Sequence, residues 1–166
     1  MSNFAIITRR QAVILGSVVA VGALVLDLLS KWWIVDKVMD PPRAIEIVPF
    51  FNLVMVWNSG ITFGMFGNTG WGRWAFAGLA LMIVGVLVSW LLRATYRSTA
   101  LALGLVIGGA IGNVIDRVRW GAVADFLDFH VAGWHWPAFN VADSAIVIGV
   151  GVLLLEALFS RKETLK

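Results

Sequence analysis

The sequence predicts an all-α membrane protein. Four transmembrane helices carry a small extracytoplasmic β-cradle and a second outer loop, in a single domain over residues 1–166. Three observations predict it. The chain is 60% apolar and only 14% charged, against about 25% charged in soluble domains. Four apolar stretches are long enough to cross a ~30 Å hydrocarbon core, which takes roughly 20 residues of helix. The short connections and both termini are basic, whereas tryptophans crowd the two long connections.

The first span runs over about 12–29 and is preceded by Arg9 and Arg10. We read it as a retained span rather than a cleaved leader, because Asp27 and Lys31 follow without a small-x-small site. The second runs over about 74–92. It brings no polar group to its outer end and is placed at the periphery. The third, about 99–115, is the shortest and carries Gly104, Gly108, Gly109 and Gly112. Small residues four apart let helices pack closely, so this is the expected central helix. The fourth runs over about 140–159.

Arg93 and Arg97 sit in the turn between spans two and three, and Arg161, Lys162 and Lys166 follow span four. By the positive-inside rule both termini are expected in the cytoplasm and the long connections, 31–73 and 116–139, outside. Eight of the nine tryptophans (Trp32, Trp33, Trp57, Trp71, Trp74, Trp120, Trp134 and Trp136) then fall on the outer side. Indoles favour the headgroup region, so the outer segments are expected to lie on the bilayer. Within the first connection, 44–51, 53–57 and 61–66 read as short strands, broken by Pro49, Asn52, Asn58 and Gly60.

The chain has no cysteine, which excludes disulfides, thiolate metal sites and a cysteine nucleophile. Its net charge of +3 is small and, in so apolar a chain, speaks for topology rather than nucleic-acid binding. The polar residues gather at one boundary. Asp27 and Lys31 are four apart and share a helix face, as a salt bridge with a snorkelling lysine or as part of a polar site. Asn58, before Ser59 and Gly60, is either a plain turn residue or an amide aimed at a backbone or a carboxylate. Asn113 and Arg117 share a face. Asp116 is expected to pair with Arg117 or Arg119. Asp143, three after Asn140, reads as a first-turn acid on the helix dipole or as a site carboxylate. Asp125, Asp128, His130 and His135 fill the second connection without a recognisable zinc spacing.

Together these residues resemble the lipoprotein signal peptidases, or signal peptidase II. The resemblance rests on Asp27 and Lys31, on Asn58-Ser59-Gly60, and on Gly112-Asn113-Val114-Ile115-Asp116-Arg117. It continues with Gly121-Ala122-Val123-Ala124-Asp125-Phe126 and Phe139-Asn140-Val141-Ala142-Asp143-Ser144. It implies a monomeric aspartic endopeptidase of the bacterial inner membrane, with its active site at the periplasmic face. The implied substrate is a diacylglyceryl-modified prolipoprotein, cut before the lipidated cysteine, and membrane lipid is the other partner. By motif position the catalytic dyad falls on Asp125 and Asp143. Asp27, Lys31, Asn58, Gly60, Asn113, Arg117 and Asn140 fall on supporting positions. No metal or organic cofactor is implied. Asp128 and Asp116 lie outside the implied dyad and serve as controls. The rival readings are a metalloprotease using His130 and His135, and a small transporter or lipid-handling protein.

Overall fold

The computed structural model describes residues 5–60 and 71–161. Helix α1 covers Arg9–Trp33 and runs on through a π-helical turn at Ile34–Val38. Strands β1 (Ile45–Val48) and β2 (Phe51–Asn58) follow, then α2 (Trp71–Leu91) and α3 (Arg97–Trp120). Strands β3 (Val123–Val131) and β4 (Trp134–His135) precede α4 (Val141–Arg161). All four helices are long and apolar enough to cross a membrane. The expected strand at 61–66, the side chain of Trp71, and Lys162 and Lys166 lie outside the described residues.

Helix α1 starts where Thr8 and Gln11 cap each other. The Gln11 N–H donates to the Thr8 hydroxyl and the Thr8 N–H to the Gln11 side chain. Helix α3 ends at Gly121, whose φ of 80° is the left-handed conformation that glycine takes without strain.

Helix α3 is the centre of the bundle. Of its apolar window 67% is buried, against 22% for α1 and 17% each for α2 and α4. Its glycines are why. A methyl group on Gly104 would press on the Gly16 carbonyl and Val19 of α1, and one on Gly109 on the Ala142 carbonyl of α4. Backbones that approach this closely leave no room for a Cβ, and dispersion and polar contacts then hold the helices where apolar burial cannot. Helix α2 packs on α3 and scarcely touches α1.

The sheet corrects the sequence reading. Asn52 does not break a strand but lies within β2, and the turn falls at Pro49 and Phe50 instead. Nor is the second long connection a loop: it supplies β3 and β4, completing an antiparallel sheet in the order β1-β2-β3-β4. The β3–β4 hairpin turns at Ala132 and Gly133, with φ of 51° and 81°. Two successive positive values mark the turn that matches strand twist, and Ala-Gly is a weak sequence signal for it.

Two features of the sheet position the site. First, β2 carries a bulge. Leu53 pairs with Leu127 and Val56 with Asp125, so β2 spends three residues where β3 spends two. Second, Phe139 is laced to β3: its carbonyl accepts from the Phe126 and Leu127 N–H groups at 3.0 and 2.8 Å, and its N–H donates to Leu127 at 3.1 Å. The next residue, Asn140, opens α4. Strand β3 and the first turn of α4 are thereby held side by side.

Candidate active site

Asn140 organises the start of α4. Its side-chain oxygen accepts the Asp143 N–H at 2.9 Å, while the Asp143 carboxylate accepts the Asn140 N–H at 3.3 Å. This is a capping box with aspartate in the usual glutamate place. The dipole role expected for Asp143 is therefore real, but it occupies only one of its oxygens. The other accepts the Asn113 amide at 2.7 Å.

The fully buried Asn140 amide also donates to Asp125 at 2.7 Å and to Asn113 at 3.3 Å. Asn58 donates to the second oxygen of Asp125 at 2.9 Å, and its own side-chain oxygen accepts the Gly60 N–H at 2.9 Å. Asp125 and Asp143 are thus linked through two amides: Asn140 donates to Asp125, Asn113 donates to Asp143, and Asn140 donates to Asn113. Asp125 is 1% exposed and Asp143 half-buried.

Burial pushes the Asp125 carboxyl up to about 6. The Asn58 bond opposes that, the Asp143 charge adds to it, and the Asn140 bond and the Lys31 charge work against it. Desolvation and a like charge are the two ways to keep a proton on a carboxylate near neutral pH.

Lys31 does not snorkel. It is fully buried, and its ammonium meets Asp27 at 2.8 Å, Asp116 at 2.7 Å and Asn113 at 3.1 Å. Three donors have three acceptors, which is what a buried ammonium requires. Asp116 therefore pairs with Lys31 and not, as the sequence suggested, with Arg117 or Arg119. Its place in the polar cluster was missed, although it lies three residues after Asn113 and so near the same helix face.

Arg117 donates to the Asn113 carbonyl at 3.1 Å and stands 5.8 Å from the Phe76 ring. Its Nε is buried without a hydrogen-bond partner among the described residues. Its charge lies within electrostatic reach of Asp143, Asp125 and Asp116.

Asp128 lies outside this cluster. It accepts from Asn52 at 3.0 Å and meets His135 at 2.9 Å, and His135 stacks on His130. Burial raises its carboxyl, but the bonds from His135 and Asn52 outweigh that and hold it below the ordinary carboxylate range. Among the described residues no group of three or more histidines, cysteines or carboxylates is placed to hold a metal ion.

One apolar cavity flanks Asp143 and a second adjoins it. One of about 310 Å³ is lined by Trp136, Phe139, Asp143, Ser144, Val147 and Ile148. The other, about 480 Å³, shares Trp136 and Phe139 and extends under the β3–β4 hairpin.

Four helices long and apolar enough to span, with a polar cluster where they meet a small sheet, define a multi-pass membrane protein. The likeness to solved structures agrees. A bacterial membrane enzyme determined by the in meso method at 2.3 Å resolution superposes with a TM-score of 0.77 and 27% identity, covering 98% of this chain and 96% of that one. A second such enzyme, at 1.9 Å resolution, gives 0.75 and 29%, covering 86% and 92%.

The sequence comparisons name the family. The signal peptidase II family model matches residues 19–159. The lipoprotein signal peptidase of Methylobacterium sp. (strain 4-46) is 44% identical over 152 residues, 90% of this chain and 92% of its own length. That of Paraburkholderia phymatum is 49% identical over 143 residues, 84% and 85% of the two chains. The chain belongs to the signal peptidase II family, the lipoprotein signal peptidases, and is an aspartic-type peptidase that processes prolipoproteins.

Proposed function

We propose that Asp125 and Asp143 form the catalytic dyad. They cleave a diacylglyceryl-modified prolipoprotein just before its lipidated cysteine. The observation that carries this is the bridging of the two carboxylates by Asn140 and Asn113.

Two carboxylates so close do not both ionise cheaply, and one proton is shared between them. The ionised partner takes a proton from water, which attacks the scissile carbonyl. The protonated partner donates a hydrogen bond to that carbonyl as negative charge develops, and the proton passes to the leaving amine. Asn58, Asn113 and Asn140 hold the carboxylates. Arg117, whose charge reaches both Asp125 and Asp143, orients the peptide, and Gly60 holds the Asn58 turn. No cofactor is needed.

The substrate's acyl chains stay at membrane depth beside α4, where the cavity lined by Asp143, Val147 and Ile148 is almost wholly apolar. The site faces the periplasm and the termini the cytoplasm, a reading supported by the basic segments at the end of the bundle opposite the sheet. The enzyme is proposed to work as a monomer.

The test is cleavage of a lipidated preprolipoprotein by purified protein. Asp125→Asn and Asp143→Asn are each expected to lower turnover by roughly 10²–10⁴-fold, the usual worth of general acid–base catalysis, with folding retained. Full activity in either variant refutes the dyad.

A further inference from the structure

The dyad's own contacts leave one buried polar device unexplained. Asp27, Lys31 and Asp116 are each no more than 1% exposed. Lys31 joins the two acids, and each acid then reaches a backbone amide. Asp27 accepts the Ala142 N–H at 2.9 Å, and Asp116 accepts the Ala124 N–H at 3.2 Å. Ala142 directly precedes Asp143, and Ala124 directly precedes Asp125.

We propose that Asp116 is a positioning residue for the peptidase reaction, acting with Asp27 through Lys31. The three form a clasp that fixes the backbone immediately before each dyad aspartate, and so the spacing of the two carboxylates. The inference rests on the dyad proposed above.

Three features favour it. The clasp draws on separate elements: Asp27 and Lys31 from α1, Asp116 from α3, and the amides of β3 and α4. The Ala142 N–H belongs to the first turn of α4, where helix donors have no intrahelical acceptor, so an outside carboxylate can take it. And α3 makes room for the clasp. At Gly112 a Cβ would collide with the Asp27 carboxylate, so the helix surface is left bare where that side chain passes to α4.

Catalytic geometry is sensitive to such control: a displacement of about 1 Å far from the chemistry can cost about 10²-fold in rate. Asp116→Asn keeps the shape and one acceptor oxygen but loses the charge that holds Lys31. In the purified enzyme with a lipidated peptide substrate, kcat is expected to fall 10-fold or more, up to about 100-fold, while KM stays within about twofold because the peptide contacts persist. Asp27→Asn, which touches the other amide, should show the same split and serves if Asp116→Asn does not fold.

Glu156→Gln is the stability control. Glu156 is also a buried carboxylate, accepting from Ser98 and Thr99 at 3.1 and 2.7 Å, but it ties α3 to α4 at the opposite end of the bundle. It should lower Tm and leave kcat per folded enzyme unchanged. If Asp116→Asn and Asp27→Asn behave like Glu156→Gln, losing Tm but not kcat, the clasp is merely structural and the proposal fails. Wild-type turnover in the same assay separates that failure from failure of the proposed reaction, since an inactive wild type overturns the reaction itself.

Discussion

Asp125 and Asp128 are the same chemical group on the same strand, three residues apart, and the protein treats them oppositely. Asp125 meets two neutral amides and faces a second carboxylate, and its carboxyl is raised to about 6. Asp128 meets a histidine and one amide, and its carboxyl is lowered. The difference begins in strand geometry. Side chains alternate along β3, so an odd spacing puts the two on opposite faces of the sheet. One face meets the first turn of α4 and becomes the candidate site. The other meets β4 and becomes a fastening between strands.

The largest expected effect is the contrast between two conservative substitutions. Asp125→Asn should lower turnover of a lipidated prolipoprotein by roughly 10²–10⁴-fold. Asp128→Asn should leave turnover within about twofold, since it removes no proton from the reaction. Comparable losses in both would mean that the two carboxylates are not distinguished as their surroundings imply.

The bulge in β2 makes the separation work on the opposite strand. Asn52 and Asn58 are six apart, which in a regular strand puts them on one face. The extra residue between Leu53 and Val56 turns Asn58 to the other face, so Asn52 serves Asp128 and Asn58 serves Asp125. Deleting Val54 is expected to restore regular pairing and swing Asn58 away from Asp125. Activity should then fall by about 100-fold, the cost of a misplaced catalytic group, with the fold intact by circular dichroism. Unchanged activity after the deletion would show that the bulge has no part in arming Asp125.

Much of this was legible in the sequence. The four spans and the central position of α3 followed from long apolar runs and closely spaced glycines, signals that depend only on composition and period. The polar residues of the cluster were legible because charge is rare in this chain and gathers at one boundary. The sheet was half hidden. Strand β3 carries Asp125 and Asp128 among its apolar residues, which spoils simple alternation, and its hairpin turns on Ala132-Gly133 rather than a strong turn pair. Asp116 was misread because its neighbours in sequence are arginines, whereas its partner, Lys31, lies on another helix. A single sequence also gives no sign of a bulge. In the sequence, motif position alone separates Asp125 from Asp128; the paired substitutions above are what test that choice.

A smaller effect sharpens the Asp125 side of the contrast. In the free enzyme the one-proton state of the proposed dyad is lost as pH rises through the upper of its two pKa values, which the value of about 6 for Asp125 represents. The profile of kcat/KM should therefore descend above about pH 6. The limb in kcat should lie higher, because bound lipid and peptide exclude water and burial is the largest cause of the shift. Asn58→Ala removes a hydrogen bond that favours the ionised form, so it should move the descending limb of kcat/KM upward. It should also cost about tenfold in kcat/KM, the equivalent of one hydrogen bond of roughly 1.4 kcal/mol. A downward shift of the limb would contradict the role given to Asn58.

The smallest effect belongs to Asp128, and it concerns stability rather than rate. A carboxyl whose folded pKa lies below its unfolded value stabilises the fold above that unfolded value, 3.8 for a free aspartate, and loses the contribution as pH falls below it. Because His135 is largely exposed, the pair contributes at most about 1 kcal/mol. Asp128→Asn should accordingly lower Tm by a few degrees at pH 6, where the aspartate is fully charged. The deficit should shrink as pH falls below 3.8 and wild-type Asp128 takes up its proton. Asp125 carries the opposite sign. Its raised pKa makes its contribution most favourable below the unfolded value and loses it as pH rises through about 6. Asp125→Asn should therefore raise Tm at neutral pH. Melting curves of the two variants across pH 3 to 7 test both signs together. If both variants melt below wild type at pH 7, the opposed treatment of the two aspartates is refuted on the Asp125 side.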